Sequence, residues 1–132
     1  PVVAVLGIFE PADVTGVVVE SERGRGLVSW VTRGTEGELV SIHVEPPGSG
    51  LGRELMQIAE DAMRAAGAQT CVLATSNDNL AAARFYLREG YRLTYVDLDA
   101  MDRVRELKPA VPHSGLGGVP LRDMWHFQKV LA

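Results

Sequence analysis

The change of hydrophobic period between residues 44 and 53 constrains the fold of this chain more than any other sequence feature. Residues 38–44 alternate as a β-strand does. The alternation predicts two faces, with Glu38, Val40, Ile42 and Val44 on one and Leu39, Ser41 and His43 on the other. From Leu51 to Ala66, apolar residues recur at helical spacing, and Gly67 ends the pattern. A glycine-rich turn therefore joins a strand directly to an amphipathic helix.

The remaining patterns predict a layered α/β fold. Strands are expected over 2–9, 17–19 and 27–32, with a polar turn over Glu22–Gly26. After the first helix, the patterns predict a strand over 70–75, a helix between Ser76–Asn79 and Gly90, a strand over 91–98, a helix over 100–107, and a closing strand over 124–131. An antiparallel meander followed by alternating strands and helices predicts a mixed sheet flanked by helices. No repeat or low-complexity linker interrupts the chain, which favours one domain over residues 1–132.

Composition narrows the class of protein. The 132 residues are 46% hydrophobic and 23% charged, which is typical of a globular domain. A net charge of −4 argues against a nucleic-acid binder. No apolar run reaches the ~20 residues of a membrane span, and the start lacks the basic region of a signal peptide. Cys71, the only cysteine, is expected to be a buried structural thiol, and no internal disulfide is possible. These features together give the cytoplasm as the expected location.

The turn itself, Glu45-Pro46-Pro47-Gly48-Ser49-Gly50-Leu51-Gly52-Arg53, suits a phosphorylated ligand. Glycines let the backbone curl so that successive amides point into one concavity at the positive end of a helix dipole. No Lys-Ser/Thr pair follows, so the turn is not a P-loop. It also ends one residue too early for a dinucleotide-binding fingerprint. A plain tight turn without a ligand remains an alternative.

Two motifs decide between these interpretations. The first is the strand ending at Val44, followed by Pro46 and by Gly50-Leu51-Gly52 at the start of a helix. The second is Asn79-Leu80-Ala81-Ala82-Ala83-Arg84-Phe85-Tyr86-Leu87-Arg88-Glu89-Gly90-Tyr91. Together, over residues 38–92, they resemble the GNAT superfamily of N-acetyltransferases. The resemblance implies a mostly antiparallel sheet with a splayed central strand pair, and transfer of an acetyl group from acetyl-CoA to an amine of a small molecule or peptide.

The resemblance also implies a set of cofactor-binding residues. The backbone of Ile42, His43 and Val44 would bind the pantetheine arm, as an added strand would. The amides of Ser49, Gly50, Leu51, Gly52 and Arg53 would hold the pyrophosphate. Asn79 would contact the arm, and Tyr86 would lie near the sulfur.

The chain departs from the family pattern in three ways. Pro47 stands where the family has Gln or Arg, and the loop is two residues short. The family's two helices between the first and second strands have no room between Phe9 and Val17. These departures leave open a non-catalytic acyl-CoA-binding or interaction module, and after it an unrelated nucleotide binder. Sheet left uncovered by the missing helices also favours a homodimer.

The catalytic candidates follow from the proton transfers that acetylation requires. Glu38 is the leading general base, with a solvated strand-end carboxylate as the alternative. His43 is a further candidate, because histidine is a common general base, but it is predicted to face away from Glu38. Glu45 and Asp78 are weaker alternatives. Tyr86 is the candidate acid for the departing thiolate, or else a buried helix aromatic. Arg23 and Arg25 are interpreted as solvated turn residues that could touch an anionic partner, and no metal site is expected.

Overall fold

The computed structural model describes the backbone of residues 3–9 and all of residues 14–132. The chain divides into two units. Unit 1 comprises Pro1–Val72 and Val130–Ala132, and unit 2 comprises Leu73–Lys129. The prediction of a single domain stays a prediction.

Unit 1 is an antiparallel meander that carries one long helix. Its elements are β1 (Val3–Phe9), β2 (Thr15–Ser21), β3 (Gly24–Arg33), β4 (Glu36–Glu45), α1 (Leu51–Ala65) and the first half of β5 (Thr70–Ser76). Consecutive strands from β1 to β4 pair antiparallel, and β4 pairs parallel with β5. Only five residues separate β1 from β2, so the predicted lack of room for two helices in this connection is confirmed.

Helix α1 packs on one face of this meander. Its buried residues include Leu51, Leu55, Ala59 and Met63, as the helical pattern predicted. A side chain at Gly37 would overlap Met63, and one at Gly26 would overlap Leu55, so both glycines allow the helix to lie close to the strands. Glu60 is a charged residue of the helix and yet is only 2% exposed, which the helical pattern of apolar residues did not predict. Arg64 lies one turn further along the same side of the helix and pairs with the Glu60 carboxylate.

Unit 2 contains the remainder of β5 together with α2 (Leu80–Arg88), β6 (Arg92–Asp97), α3 (Ala100–Leu107), a 3₁₀ turn at Leu116–Gly118 and β7 (Met124–Val130) except for its last residue, which belongs to unit 1. Within it the strand order is β5-β7-β6, and β6 and β7 pair antiparallel. The ring of Tyr86 lies against Phe85, Tyr91 and Phe127, and these contacts form an aromatic cluster.

The sequence predicted these elements well. Every predicted strand and helix is present, and α3 has the predicted bounds. The mixed, mostly antiparallel sheet flanked by helices is confirmed as the fold class. Cys71 is fully buried, as expected of a structural thiol.

Candidate active site

A β-bulge at Val40 is the central irregularity of β4. Ser29 of β3 pairs with Ser41, but the next residue, Trp30, pairs with Leu39, so Val40 is an extra residue on β4. Bulges of this kind re-aim side chains and are frequent beside active sites. The Val40 side chain is 51% exposed.

The bulge overturns the predicted faces of β4. Glu38 pairs with Val31, Ser41 with Ser29, and His43 with Leu27, and these β3 residues are alternate residues on one face. Gly37, Leu39, Ile42 and Val44 lie on the opposite face, under α1. Glu38 and His43 therefore share a face, contrary to the prediction, because one inserted residue reverses the alternation beyond it.

We call the surface formed by Glu38, Ser41, His43 and Glu45 the acidic face of β4. The Glu38 carboxylate accepts a hydrogen bond from Arg33 Nη1 at 3.0 Å through Oε1. The hydroxyls of Ser29 and Ser41 lie 2.5 Å apart, and Ser29 is only 8% exposed. His43 Nε2 lies 3.1 Å from Glu45 Oε1, and both side chains are exposed. The sequence patterns did not predict the Ser29–Ser41 pair, since its formation depends on the register of two strands.

The pairing of β4 with β5 stops shortly before the bulge. It comprises Glu36 with Thr70, Gly37 with Cys71, and Glu38 with Val72. Beyond Glu38, β4 continues through Ile42, His43 and Val44 with β3 as its partner. Among the described residues of unit 1, the second edge of β4 thus has no strand partner over the residues predicted to bind an extended ligand arm.

The turn after β4 has the curled backbone expected of it. Gly48 and Gly50 have φ angles of 79° and 80°, in the left-handed region that glycine adopts without strain. Gly50 is the N-cap of α1 and offers no side-chain cap. The Ser49 hydroxyl accepts a hydrogen bond from the Leu51 amide at 3.3 Å. The first-turn amides of α1, including those of Gly52 and Arg53, therefore lie at a helix N-terminus of positive potential.

Arg23, on the turn between β2 and β3, is not the solvated residue that was expected. Its guanidinium forms an ion pair with Glu54 in the first turn of α1. Arg23 Nη1 also lies 3.3 Å from the position that a Cβ would occupy at Gly50. Arg25, two residues further along, is exposed as expected.

In unit 2, Asn79 and Tyr86 both lie on α2. Asn79 is the N-cap residue, and its Oδ1 accepts the Ala82 amide at 3.1 Å. The side-chain oxygen of Asn79 accepts this hydrogen bond, and the side-chain nitrogen takes no part in it. Tyr86 is 8% exposed, and burial raises the pKa of its hydroxyl above the ordinary value of 10.0.

Asp78, a weaker catalytic candidate, holds the loop around residues 113–118 to the start of α2. It accepts the Ser76 hydroxyl at 2.5 Å and the Leu116 amide at 2.9 Å. Burial alone would raise its pKa, but these hydrogen bonds outweigh burial and lower the pKa below 3.8. A carboxylate with two local donors and a lowered pKa is a poor general base, so we assign Asp78 an anchoring role.

Two neighbouring cavities open on unit 1 at the end of β4. One, of about 390 Å³, is lined by Glu20, Ser21, Gly24, Arg25, Glu45 and Pro46. The other, of about 170 Å³, is lined by Val18, Arg25, Gly26, Leu27, His43 and Glu45. Arg25 and Glu45 contribute to both linings, so each cavity presents groups of both charges.

The part of the chain that the structure describes has neither a cluster of metal-binding side chains nor a membrane-spanning helix. Among residues 14–132, no group of three or more His, Cys, Asp or Glu side chains is placed to hold a metal ion. No helix in the same range combines the length and apolar character needed to cross a membrane.

Comparison with known proteins identifies the family. Residues 6–91 match the model of the acetyltransferase (GNAT) family. The chain is 32% identical over 127 residues to the uncharacterised protein YdhI of Bacillus subtilis, covering 95% of this chain and 79% of that protein. It is 41% identical over 61 residues to the aminoalkylphosphonate N-acetyltransferase of Salmonella typhimurium, covering 45% of this chain and 40% of that enzyme.

A solved structure shows the same fold. A Bacillus subtilis acetyltransferase in complex with CoA superposes with a TM-score of 0.77 at 21% identity, covering 91% of this chain and 78% of that one. The strand order, the glycine turn and the family match agree with the resemblance found in the sequence. The chain therefore belongs to the acetyltransferase (GNAT) family, whose acetyl donor is acetyl-CoA.

Proposed function

We propose that this protein is an N-acetyltransferase that moves the acetyl group of acetyl-CoA to an amine of a small molecule or peptide. The observation that carries the proposal is the course of β4. Its second edge loses its partner after Glu38, and the strand then runs through the Val40 bulge into the curled turn and the N-terminus of α1. An extended thiol arm and a diphosphate need those two features in that order.

The residues present suit the nucleotide end of CoA. The turn combines two left-handed glycines, a helix N-terminus without a side-chain cap, and a nearby guanidinium from Arg23. Amides and guanidinium groups are the donors that proteins use for phosphate. The backbone of Ile42–Val44 would bind the arm, the amides of Ser49–Arg53 would hold the diphosphate, and Asn79 would contact the arm.

We place the amine on the acidic face of β4. Carboxylates at Glu38 and Glu45 attract a protonated amine, and the short β1–β2 connection has no room for the family's two helices. The similar Salmonella enzyme is named for N-acetylation, which also favours an amine as acceptor.

Two residues would carry out the proton transfers, one from the amine and one to the sulfur of CoA. An alkylamine of pKa ~10.4 is only about 0.1% neutral near pH 7.4, so a base that removes its proton accelerates attack on the thioester. Glu38 is that base in our proposal, with Oε2 outside the Arg33 hydrogen bond. Tyr86 would give a proton to the departing sulfur. A phenol of pKa ~10 is a weaker acid than a thiol of pKa ~8.5, by about 2 kcal/mol, and the burial of Tyr86 adds to this difference.

Turnover is the first test of this function. The full chain is incubated with acetyl-CoA and a broad panel of amines, and free thiol is followed with time. We expect CoA release that depends on a particular amine. Binding of acetyl-CoA without release of CoA on any amine would instead favour a non-catalytic acyl-CoA-binding module. Stabilisation by ATP or NAD but not by CoA would favour an unrelated nucleotide binder.

Tyr86→Phe tests the proposed acid. It should lower kcat by about 10²-fold, because general acid catalysis contributes roughly that much or more, while the dissociation constant for CoA changes less than about twofold. Tyr91→Phe is the matched control, since Tyr91 is another buried tyrosine in the same aromatic cluster. Rates and affinities are measured on both variants. Unchanged turnover in Tyr86→Phe would exclude Tyr86 as the acid.

We further propose that the protein works in the cytoplasm as a homodimer. Cys71 is the only cysteine of the sequence, so no disulfide can form within the chain, which is compatible with a reducing compartment. Large apolar side chains are exposed on β6, among them Leu93 and Tyr95, and such side chains are commonly covered in an assembly. Native mass spectrometry of the purified protein would give the subunit count, and a single subunit at micromolar concentration would contradict the dimer.

A further inference from the structure

The turn between β2 and β3 is pressed against the end of β4. A Cβ at Gly24 would overlap the carbonyl oxygen of Glu45 and would lie 2.8 Å from Pro46 Cδ. The register continues through this contact, since Arg25 pairs with Glu45. Because both contacts involve atoms of the Glu45–Pro46 segment, the position of the turn is fixed relative to the glycine-rich loop that follows it.

This contact places the Arg23 side chain at the N-terminus of α1. Nη1 lies over Gly50, where a Cβ would be 3.3 Å away, and Nη2 forms the ion pair with Glu54. Arg23 Nε is buried without a hydrogen-bond partner, and so is Glu54 Oε2. Buried donors without partners are rare in folded proteins, so the guanidinium has hydrogen-bonding capacity that the protein by itself leaves unused.

A phosphate group would use that capacity. A guanidinium presents several N–H donors in a fixed planar arrangement that matches phosphate oxygens. The same location already has the curled amides of the turn and the positive end of the α1 dipole. It also lies beside Pro47, which has no N–H to donate.

We propose that Arg23 is a CoA-binding residue that contacts the diphosphate and supplies, from a neighbouring turn, a donor that the shortened loop lacks. The inference rests on the proposed function, since it assumes that CoA binds at this loop. Glu54 holds the guanidinium in place in the free protein through Nη2, and the phosphates then engage Nη1, which lies toward Gly50. The contact depends on Arg23, Gly24 and Gly50 together.

The test is equilibrium binding to the full chain, with CoA, dephospho-CoA and pantetheine as probes. Arg23→Gln should lower the affinity for CoA about tenfold, as expected for the loss of one charge-assisted contact. Arg23→Lys should lower this affinity less. The loss should be the same for dephospho-CoA, which keeps the diphosphate, and absent for pantetheine, which has no phosphate. Arg25→Gln is the matched control, because it removes the same charge from an exposed position two residues away and should leave CoA affinity within about twofold.

The outcomes separate this inference from the proposed function. If the unaltered protein does not bind CoA at millimolar concentration, the proposed function fails. If it binds CoA and Arg23→Gln binds equally well, only the role of Arg23 fails. If Arg23→Gln lowers the affinities for CoA and pantetheine equally and also lowers the melting temperature of the free protein, Arg23 only stabilises the turn and does not contact the diphosphate. A loss of affinity for CoA but not for dephospho-CoA would overturn the diphosphate contact, because both ligands carry the diphosphate.

Discussion

Val40, the extra residue on β4, determines which side chains of that strand lie together. Without it, strict alternation would put Glu38 and His43 on opposite faces, and only one of them could meet an acceptor. With it, Glu38, Ser41 and His43 share one face, while Leu39 and Ile42 lie under α1. Glu38 and His43 are therefore both available on the proposed acceptor side of the strand, and their contributions can be separated by substitution.

Glu38→Gln should lower kcat/KM by about 10²-fold and remove the gain in rate with rising pH, because the amide cannot accept the proton of the amine. Glu36→Gln is the matched control, since Glu36 is exposed and two residues away on β4. The measurement is the pH profile of kcat/KM for both variants and for His43→Gln. A larger loss in His43→Gln than in Glu38→Gln would transfer the role of base to His43.

Among the elements of unit 2, the loop that follows α3 is held by polar residues at the start of α2. Asn77 Oδ1 accepts the amides of Arg122 and Asp123, and its Nδ2 donates to the Pro120 carbonyl. Asp78 accepts from Ser76 and from Leu116. A long loop rich in proline and glycine has little regular structure of its own, so these side-chain hydrogen bonds help to fix its path.

Asp78→Asn should lower the free energy of unfolding at pH 7 by about 1.5–3 kcal/mol, the usual contribution of hydrogen bonds to a charged group. The pKa of Asp78 is lowered in the folded state, so its stabilisation is present above the unfolded pKa and is lost as the pH falls through the folded value. The difference between the two proteins in urea denaturation should therefore shrink below about pH 3.8. Glu106→Gln, at an exposed position, serves as control and should change stability by less than about 0.5 kcal/mol. An Asp78→Asn deficit that is equal at pH 7 and pH 2 would contradict the role of the charge.

On the scale of the whole molecule, the last residues of the chain complete the first unit. Leu131 is 5% exposed, and its amide donates to the Gln69 carbonyl at 2.8 Å. Its own carbonyl accepts from Arg64 Nε at 2.7 Å. Residues 130–132 thus belong to unit 1 although the whole of unit 2 precedes them in the chain.

Leu131→Ala should therefore destabilise the protein by about 2–5 kcal/mol, the usual cost of truncating a buried leucine. Val130→Ala is the matched control, because Val130 is 69% exposed and its truncation should cost less than about 0.5 kcal/mol. Thermal and urea unfolding of the two variants give the comparison. Equal stabilities would show that the Leu131 side chain does not contribute to the core of unit 1.

Local patterns were enough to locate the elements and the turn proposed to bind the cofactor. The spacing of Leu51, Leu55 and Met63 follows from helix geometry, and the conformation of Gly48 and Gly50 follows from the absence of a side chain. The sequence alone also determined the family, because the Gly50-Leu51-Gly52 and Asn79–Tyr91 motifs are each contiguous in the chain.

Only the tertiary structure decided which distant residues meet. The bulge at Val40 depends on the register between β3 and β4, and a shift of one residue reverses every later side chain. The Ser29–Ser41 pair and the approach of Arg23 to Glu54 depend on that register and on the packing of α1. Periodicity records how a residue relates to its neighbours in sequence, whereas register and packing are set by free energies summed over whole surfaces.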